Sequence, residues 1–530
     1  MSEKIVFTLN DLYKTLRRHD VDILKHFNDE CLSDYDYLFY AINSDIMSNA
    51  LNIVMNRLLN NPETPGIDNN ARAIIEGFVI LKMLGSGDIT DVQLKIFRSH
   101  FAIVDYENFK KWINKEKEHP AFVDMQKRYD DAVDFLTNCY GCSKKELHGH
   151  FVDVDDPLFY LKKTLKEDIG FTNLLYKYPI FNEQTLRIYE FFSIMIHPRY
   201  EDLDSIEQSI QKLRKRYVDV VLDYVVNYLK AGKLLVVDDK LPDFDDDYTK
   251  NPLLINNVNN IKQMNIAFGM LAEDLCVLKD GYDAFELFFF KTVCPLIIDM
   301  MLCESLGYNE QVISKFKSFM EIAAVHATIN CSESMEEFRA LKHAFAYSSR
   351  LQLSQHIKSM NLGGSDFEPK GLRELYNNYY SPKYGISSYE EFVKSMSNNS
   401  LYFLDPTAES KSYNKHVKNV INEIFTDDHI RNELFEMYKL AKDMNHASGY
   451  NFNSSPGVAE FHSHLVMHAV FTWLINLVLN ASFVISEEDH ETKYTETVID
   501  FFKLLANFEN EAMKKIGKKY EEEYNKYGNQ

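Results

Sequence analysis

The sequence predicts an all-α protein made of two tandem, related helical-bundle domains with an acidic linker between them. Long segments place apolar residues three and four positions apart, which is the spacing of a buried helical face. Glycine and proline number only 19 and 13, whereas a β-rich chain needs a turn about every ten residues. A hydrophobic fraction of 45% is enough to fill the two or three cores that 530 residues are expected to form.

The residue pattern in the first half of the sequence predicts a series of helices separated by short breaks. Residues 1–60 are expected to form N-terminal helices that pack on a first bundle, residues 61–230. The segment NPETPGIDNN from Asn61 is the clearest break, and Pro198 ends a helix because proline disfavours helical geometry in the preceding residue. Apolar periodicity places the helices at residues 10–26, 34–60, 71–84, 91–101, 108–118, 121–139, 182–196 and from 202 or 204 to 229.

Residues 231–260 are predicted to be the acidic linker, because Gly232, Pro242 and Pro252 accompany six aspartates. Calcium binding by these aspartates is an alternative, but the ligand order and the glycine of a calcium loop are absent.

The second bundle, residues 261–510, repeats the plan of the first. Helices are expected at residues 261–279, 283–306, 309–327, 334–360, 416–424, 428–445, 458–480 and 491–520. The polar, Tyr-rich segment PKGLRELYNNYYSPKYG interrupts them and predicts an irregular surface excursion. Residues 511–530 are expected to be a charged helix end that frays.

An internal repeat relates the two halves. The segment LRIYEFFSIMIHPRY from Leu186 reappears as FEMYKLAKDMNHASGY from Phe435, and each copy places a Tyr eight residues before a His. An earlier segment, RAIIEGFV from Arg72, matches RALKHAFA from Arg339. Because both similarities occur in the same order and at comparable separations, they predict a tandem duplication.

The repeated segments supply side chains suited to acid–base chemistry. Arg72 and Glu76 lie one turn apart on an apolar helix and therefore share a face. An Arg can neutralise a phosphate or a developing oxyanion, and a His can move protons near neutral pH. The alternative, which we favour, is that these are satisfied polar side chains of the core. The two candidate sets are Arg72, Glu76, Tyr189 and His197, and Arg339, His343, Tyr438 and His446.

The order Arg-x-x-x-Glu, followed much later by Tyr-x7-His, resembles a widespread family of uncharacterised bacterial α-helical proteins that is distantly similar to HEPN domains. HEPN domains are helical bundles, and many are metal-independent ribonucleases of toxin and phage-defence systems with an Arg followed after four to six residues by a His. The segment RLQLSQH, Arg350 to His356, has that spacing but carries Leu351 where a polar residue is usual.

This resemblance implies an effector that binds or cleaves RNA in stress or phage defence and needs no cofactor. His197, His446 or His356 would act as the base, and Arg72, Arg339 or Arg350 would steady the phosphate. The active site of that family typically forms across a dimer, so a homo-oligomer is one expected arrangement. The competing class is a non-catalytic helical scaffold or sensor that binds a protein partner.

Two clusters make zinc an alternative cofactor. Cys139 and Cys142 precede His148 and His150, and four such ligands could hold Zn²⁺. The motif Ser143-x-x-Glu146 explains the same segment without metal, as a capping box. The second cluster, Glu460, His464 and His468, has one-turn spacing on one helix, but the HExxH order of zinc hydrolases is absent.

Charge and composition limit the classes of partner and the cellular compartment that the sequence predicts. A net charge of −21 repels phosphate backbones and anionic membranes, so general DNA binding is not expected; the one basic patch is Lys212, Arg214, Lys215 and Arg216. Seven scattered cysteines and a first segment without a signal pattern favour a reducing cytoplasm. The apolar run Leu465 to Ile485 has the length of a membrane span, but its polar residues and acidic flank favour a buried core helix.

Overall fold

The computed structural model describes residues 8–27, 32–115, 120–151, 171–196, 205–234, 243–244, 258–277, 284–359, 369, 371–398, 402–404, 406, 413–443 and 462–474. Every regular element within these ranges is helical, which confirms the all-α prediction. No helix among them has the length and apolarity required to cross a membrane. The described part of the apolar run, residues 465–474, is helical and mostly buried.

The helices are numbered in chain order. The first half contains α1 (Leu9–Phe27), α2 (Asp34–Leu58), α3 (Pro65–Leu84), α4 (Asp91–Lys115), α5 (Pro120–Tyr140), α6 (Lys144–Phe151), α7 (Phe171–Lys177), α8 (Thr185–Met195) and α9 (Ser205–Ala231). The second half contains α10 (Val258–Val277), α11 (Ala284–Ser305), α12 (Asn309–Asn330), α13 (Met335–Ser359), α14 (Leu372–Leu375), α15 (Ser381–Tyr384), α16 (Tyr389–Asn398), α17 (Asn414–Ile424), α18 (Asp428–Asp443) and α19 (residues 462–474).

Helix α3 begins earlier than its sequence pattern predicted. Thr64 is its N-cap, since its side-chain oxygen accepts a 3.1 Å hydrogen bond from the backbone N–H of Ile67. Pro65 occupies the first helical position, where the missing N–H costs nothing. The prediction treated this Pro and the following Gly66 as a loop and started the helix at Ala71. The extra turns matter because they carry Asp68 and Asn70 into the core.

The Tyr-rich excursion also differs from its prediction. Residues 372–384 form two short helices joined by a π-helical turn, and α16 follows. Two of its tyrosines are buried and donate to backbone carbonyls: Tyr376 donates to that of Ile386 at 2.8 Å, and Tyr380 donates to that of Phe403. Because these two rings are buried while their hydroxyls are bonded, a segment that is polar in composition still has an apolar, buried side.

Two helical hairpins form the centre of the molecule. In the first half, α2 and α3 are joined by a short loop, and α3 packs against α8 and α9. In the second half, α11 and α12 are joined through Gly307, whose positive φ of 80° favours glycine, and α12 packs against α17 and α18. The hairpins face each other, because α11 contacts α2 and α3 while α12 contacts α3. One continuous hydrophobic core spans both halves.

Most of the predicted acidic linker lies outside the described residues. Within it, Asp243 forms an ion pair with Lys14 of α1 at 2.6 Å, and the buried Phe244 packs edge-on against Tyr13, with ring centroids 5.6 Å apart. This part of the linker is therefore held against the first helix.

The close packing of α2 on α3 depends on Gly77. A Cβ at this position would lie 2.6 Å from Cγ1 of the buried Ile46, so an added methyl group would push the two helices apart. We expect Gly77→Ala to lower the free energy of unfolding by about 1–2 kcal/mol, because overpacking outweighs the gain in helix propensity. The measurement is thermal unfolding followed by circular dichroism.

The matched control is Gly269→Ala on α10, an exposed position where no atom of the described residues lies within 4 Å of the added Cβ. There the same substitution should stabilise the protein by up to about 1 kcal/mol. Equal shifts in melting temperature for the two variants would show that Gly77 is not a packing position.

Candidate functional site

Three of the four side chains predicted for the first site meet where α3 crosses α8. Nε of Arg72 donates to Oε1 of Glu76 at 3.0 Å, and Nη2 of Arg72 lies 3.1 Å from the hydroxyl of Tyr189. That hydroxyl donates to Oε1 of Glu76 at 2.9 Å. The guanidinium also lies 5.2 Å from the centre of the Tyr189 ring. These three side chains, called the α3 triad below, therefore form a closed network of hydrogen bonds. His197 lies outside the described residues, just after the described end of α8.

Burial and the neighbouring groups together set the protonation states of Arg72 and Tyr189 in the α3 triad. Arg72 is 9% exposed and Glu76 2% exposed, whereas Tyr189 is half-buried. Burial by itself would lower the pKa of Arg72, but the neighbouring Glu76 and Tyr189 raise it, so the guanidinium stays charged. Burial and the Glu76 carboxylate raise the pKa of Tyr189, so the phenol keeps its proton. The phenol is thus a donor to Glu76 at neutral pH and not a base.

The second predicted set does not gather around Tyr438. This tyrosine is fully buried on α18, and its hydroxyl donates to Oε1 of Glu321 on α12 at 3.4 Å. Arg339 and His343 instead lie exposed on α13, where His343 stacks on Tyr347 with ring centroids 5.9 Å apart. His446 lies outside the described residues.

A second pair with the spacing of Arg72 and Glu76, which the sequence analysis missed, lies on α12. Lys317 and Glu321 have the same four-residue spacing on α12, and α12 contacts α18 as α3 contacts α8. The match of Arg72 with Arg339 relied on residue identity. The sequence pattern that could have identified Lys317 is Lys-x-x-x-Glu within an apolar helix, here the second helix of a helical hairpin.

The pKa of Lys317 is set by its burial and by neighbouring charges. Burial lowers the pKa of Lys317, Glu321 raises it, and the charges of Arg72 and Lys442 lower it further. The helices that carry Arg72 and Lys317, α3 and α12, contact each other.

The predicted HEPN-like spacing lies on α13. Arg350 is half-buried there, and the side chain of His356 is outside the described part of the chain. The basic patch predicted on α9 is smaller than its sequence indicates, because Arg214 is buried and paired with Asp68 of α3. Lys212, Lys215 and Arg216 stay exposed.

No group of three or more metal-binding side chains occurs among the described residues. Cys139 is exposed and Cys142 half-buried, while the side chains of His148 and His150 are outside the description. The capping box predicted there is formed, since the backbone N–H of Ser143 donates to Oε2 of Glu146 at 2.7 Å and the backbone N–H of Glu146 lies 3.3 Å from Oγ of Ser143.

The second predicted metal cluster is only partly described. His464 is buried, and its Nδ1 lies 2.8 Å from Oε1 of the buried Glu304 on α11. His468 packs near Phe425, with ring centroids 6.0 Å apart, and Glu460 lies outside the described residues. Glu304 was not part of the predicted cluster, yet it is the carboxylate that contacts His464.

Comparison of the chain with models of known protein families, with curated proteins and with solved structures finds no match.

Proposed function

We propose that the protein is a non-catalytic helical scaffold or sensor that binds a protein partner. The observation that carries this proposal is that three of the candidate catalytic side chains use one another as partners inside the bundle. Arg72, Glu76 and Tyr189 close a ring of hydrogen bonds, and Tyr438 donates to Glu321. Satisfied polar side chains at helix crossings specify which helices pack together, which is a structural role.

The overall charge supports a basic partner surface. At −21, the protein attracts positively charged surfaces and repels nucleic-acid backbones at long range. Burial of Arg214 leaves a smaller basic patch on α9, which weakens the case for a nucleic-acid surface.

The proposal includes a tandem duplication, with α12 and not α13 as the counterpart of α3. Its support is the parallel between two hairpins that each carry a cation and a glutamate one turn apart, Arg72–Glu76 and Lys317–Glu321. In each half a tyrosine from a later helix donates to that glutamate. A fused pair of related units would present a broader binding surface than one unit.

An RNA-binding or RNA-cleaving effector, similar to HEPN proteins of stress and phage defence, is the second candidate function. The observation that favours it is that Arg72 is hydrogen-bonded to Tyr189, which precedes His197 by eight residues in the sequence. In this function Arg72 would hold a phosphate and His197 would move the proton, without a metal cofactor.

One experiment separates the two functions. The purified protein is incubated with total RNA in the presence of a chelator, beside the His197→Ala plus His446→Ala variant. The scaffold proposal predicts identical, intact RNA in both reactions. Cleavage by the wild type that the double variant lacks would contradict the scaffold and establish a metal-independent ribonuclease. The scaffold proposal also predicts that the immobilised protein captures a protein partner at low ionic strength and releases it at high ionic strength.

A further inference from the structure

We propose that α1 carries a binding site for an acidic peptide segment of another protein, and that the chain's own Asp243 and Phe244 fill this site in the structure. The site, called the α1 site below, consists of Asn10, Tyr13 and Lys14. Its ligand is a segment in which an Asp directly precedes a Phe. The α1 site goes beyond the proposed scaffold function and does not depend on it.

The aromatic ring of Phe244 is the anchor of this contact. Phe244 is only 2% exposed, and its ring packs edge-on against that of the buried Tyr13, with the two ring centroids 5.6 Å apart. Aromatic pairs in this arrangement are favourable beyond the apolar area that they bury. A buried aromatic side chain with polar contacts around it is the usual source of affinity where a protein binds a short segment.

Two polar contacts select the residues of the segment and orient it. The backbone N–H of Phe244 donates to Oδ1 of Asn10 at 3.2 Å, so α1 binds the main chain of the segment as well as its ring. The Asp243 carboxylate lies 2.6 Å from Nζ of Lys14, whose side chain is only 14% exposed. Because a partly buried ion pair is screened less than a fully exposed one, Lys14 favours an acidic residue before the aromatic one.

The position of this segment in the chain makes it an internal ligand. Asp243 and Phe244 lie after α9, which ends at Ala231, and before α10, which begins at Val258. All three contacts come from these two consecutive residues and from neither helix, so a separate peptide with the same two residues can make them as well. A tethered segment competes with a separate one through its high effective concentration. The chain therefore blocks its own α1 site.

The test is the fluorescence anisotropy of a labelled peptide, DDKLPDFDDDY, which copies residues 238–248, titrated with the full-length protein. Phe244→Ala removes the internal anchor, so we expect this variant to bind the peptide at least about tenfold more tightly than the wild type does. A second peptide with Ala in place of its Phe should bind the variant at least about tenfold more weakly than the first peptide, because it lacks the anchor.

Two lysine variants test the charge contact. Lys14→Gln, added to Phe244→Ala, should weaken peptide binding severalfold, because the peptide loses the partner of its Asp. Lys212→Gln, added to Phe244→Ala in the same way, changes an exposed lysine of the basic patch on α9 and should leave binding unchanged. Circular dichroism checks that each variant is folded. If Phe244→Ala folds poorly, Asp243→Asn replaces it, since loss of the internal ion pair should also make the peptide bind more tightly than it binds the wild type.

Two results would overturn the proposal. Equal peptide binding by the wild type and the opened variant, or no binding by the opened variant, would leave the contact as a structural anchor of the linker. Equal binding of the two peptides would show that the Phe is not recognised. None of these results changes the RNA-cleavage and partner-capture experiments, so the α1 site and the proposed function can fail separately.

Discussion

Arg214→Met is expected to destabilise the protein by about 3–5 kcal/mol, which is the usual cost of removing one partner of a buried ion pair. Nε of Arg214 donates to Oδ1 of Asp68 at 2.9 Å, and Nη2 donates to Oδ2, so the pair is bidentate. Both side chains are buried. Methionine keeps much of the side-chain volume but leaves the Asp68 carboxylate inside the protein without its guanidinium. The measurement is urea unfolding followed by circular dichroism.

Two variants make this prediction specific. Arg216→Met changes an exposed arginine on the same helix and should alter the free energy of unfolding by no more than about 0.5 kcal/mol. The double variant Asp68→Leu plus Arg214→Met should be more stable than Arg214→Met alone, because it also removes the buried carboxylate that has lost its guanidinium. If Arg214→Met and Arg216→Met unfold at the same urea concentration, the buried pair does not hold α9 against α3.

The sequence predicted those features that depend on local spacing. The helical periodicity predicted the all-α class, and the four-residue interval between Arg72 and Glu76 predicted that they share a face. Tyr189, which the sequence analysis grouped with them, is hydrogen-bonded to both. Boundary errors occurred where local composition was misleading, as at Pro65, which begins a helix instead of belonging to a loop.

The remaining features depend on pairs that are distant in the chain. Arg214 meets Asp68 across 146 residues, and Asn52 meets Asp299 across 247. No periodicity within one helix specifies such a partner, since the pairing is set by which helices pack together. Lys317 was missed because the two halves of the sequence were compared by residue identity, which paired Arg72 with Arg339. What Lys317 and Glu321 share with Arg72 and Glu76 is a cation and a glutamate one helical turn apart.

Asp299 is the acceptor at the centre of the contact between the two hairpins. Its Oδ1 accepts hydrogen bonds from Asn52 at 2.9 Å and Asn56 at 2.8 Å, both on α2, and its Oδ2 lies 3.3 Å from Oγ1 of Thr64. Lys315 lies 3.8 Å from Oδ1, and neither charged side chain of this pair has any exposed surface. Four donors from three segments thus converge on one carboxylate. Gly66 allows this approach, because a Cβ there would collide with Oδ2 of Asp299.

Asp299→Asn is therefore expected to lower the free energy of unfolding by about 3–5 kcal/mol, although the side chain keeps its shape. The amide removes the charge opposite Lys315 and turns an acceptor into a donor that faces other donors. Asp299→Asn plus Lys315→Met should recover part of the loss, while the exposed Asp223→Asn on α9 should stay within about 0.5 kcal/mol of wild type. A urea midpoint for Asp299→Asn equal to that of Asp223→Asn would mean that the hairpins associate through apolar packing alone. The expected large loss would instead show that the two halves need this carboxylate to assemble into one body.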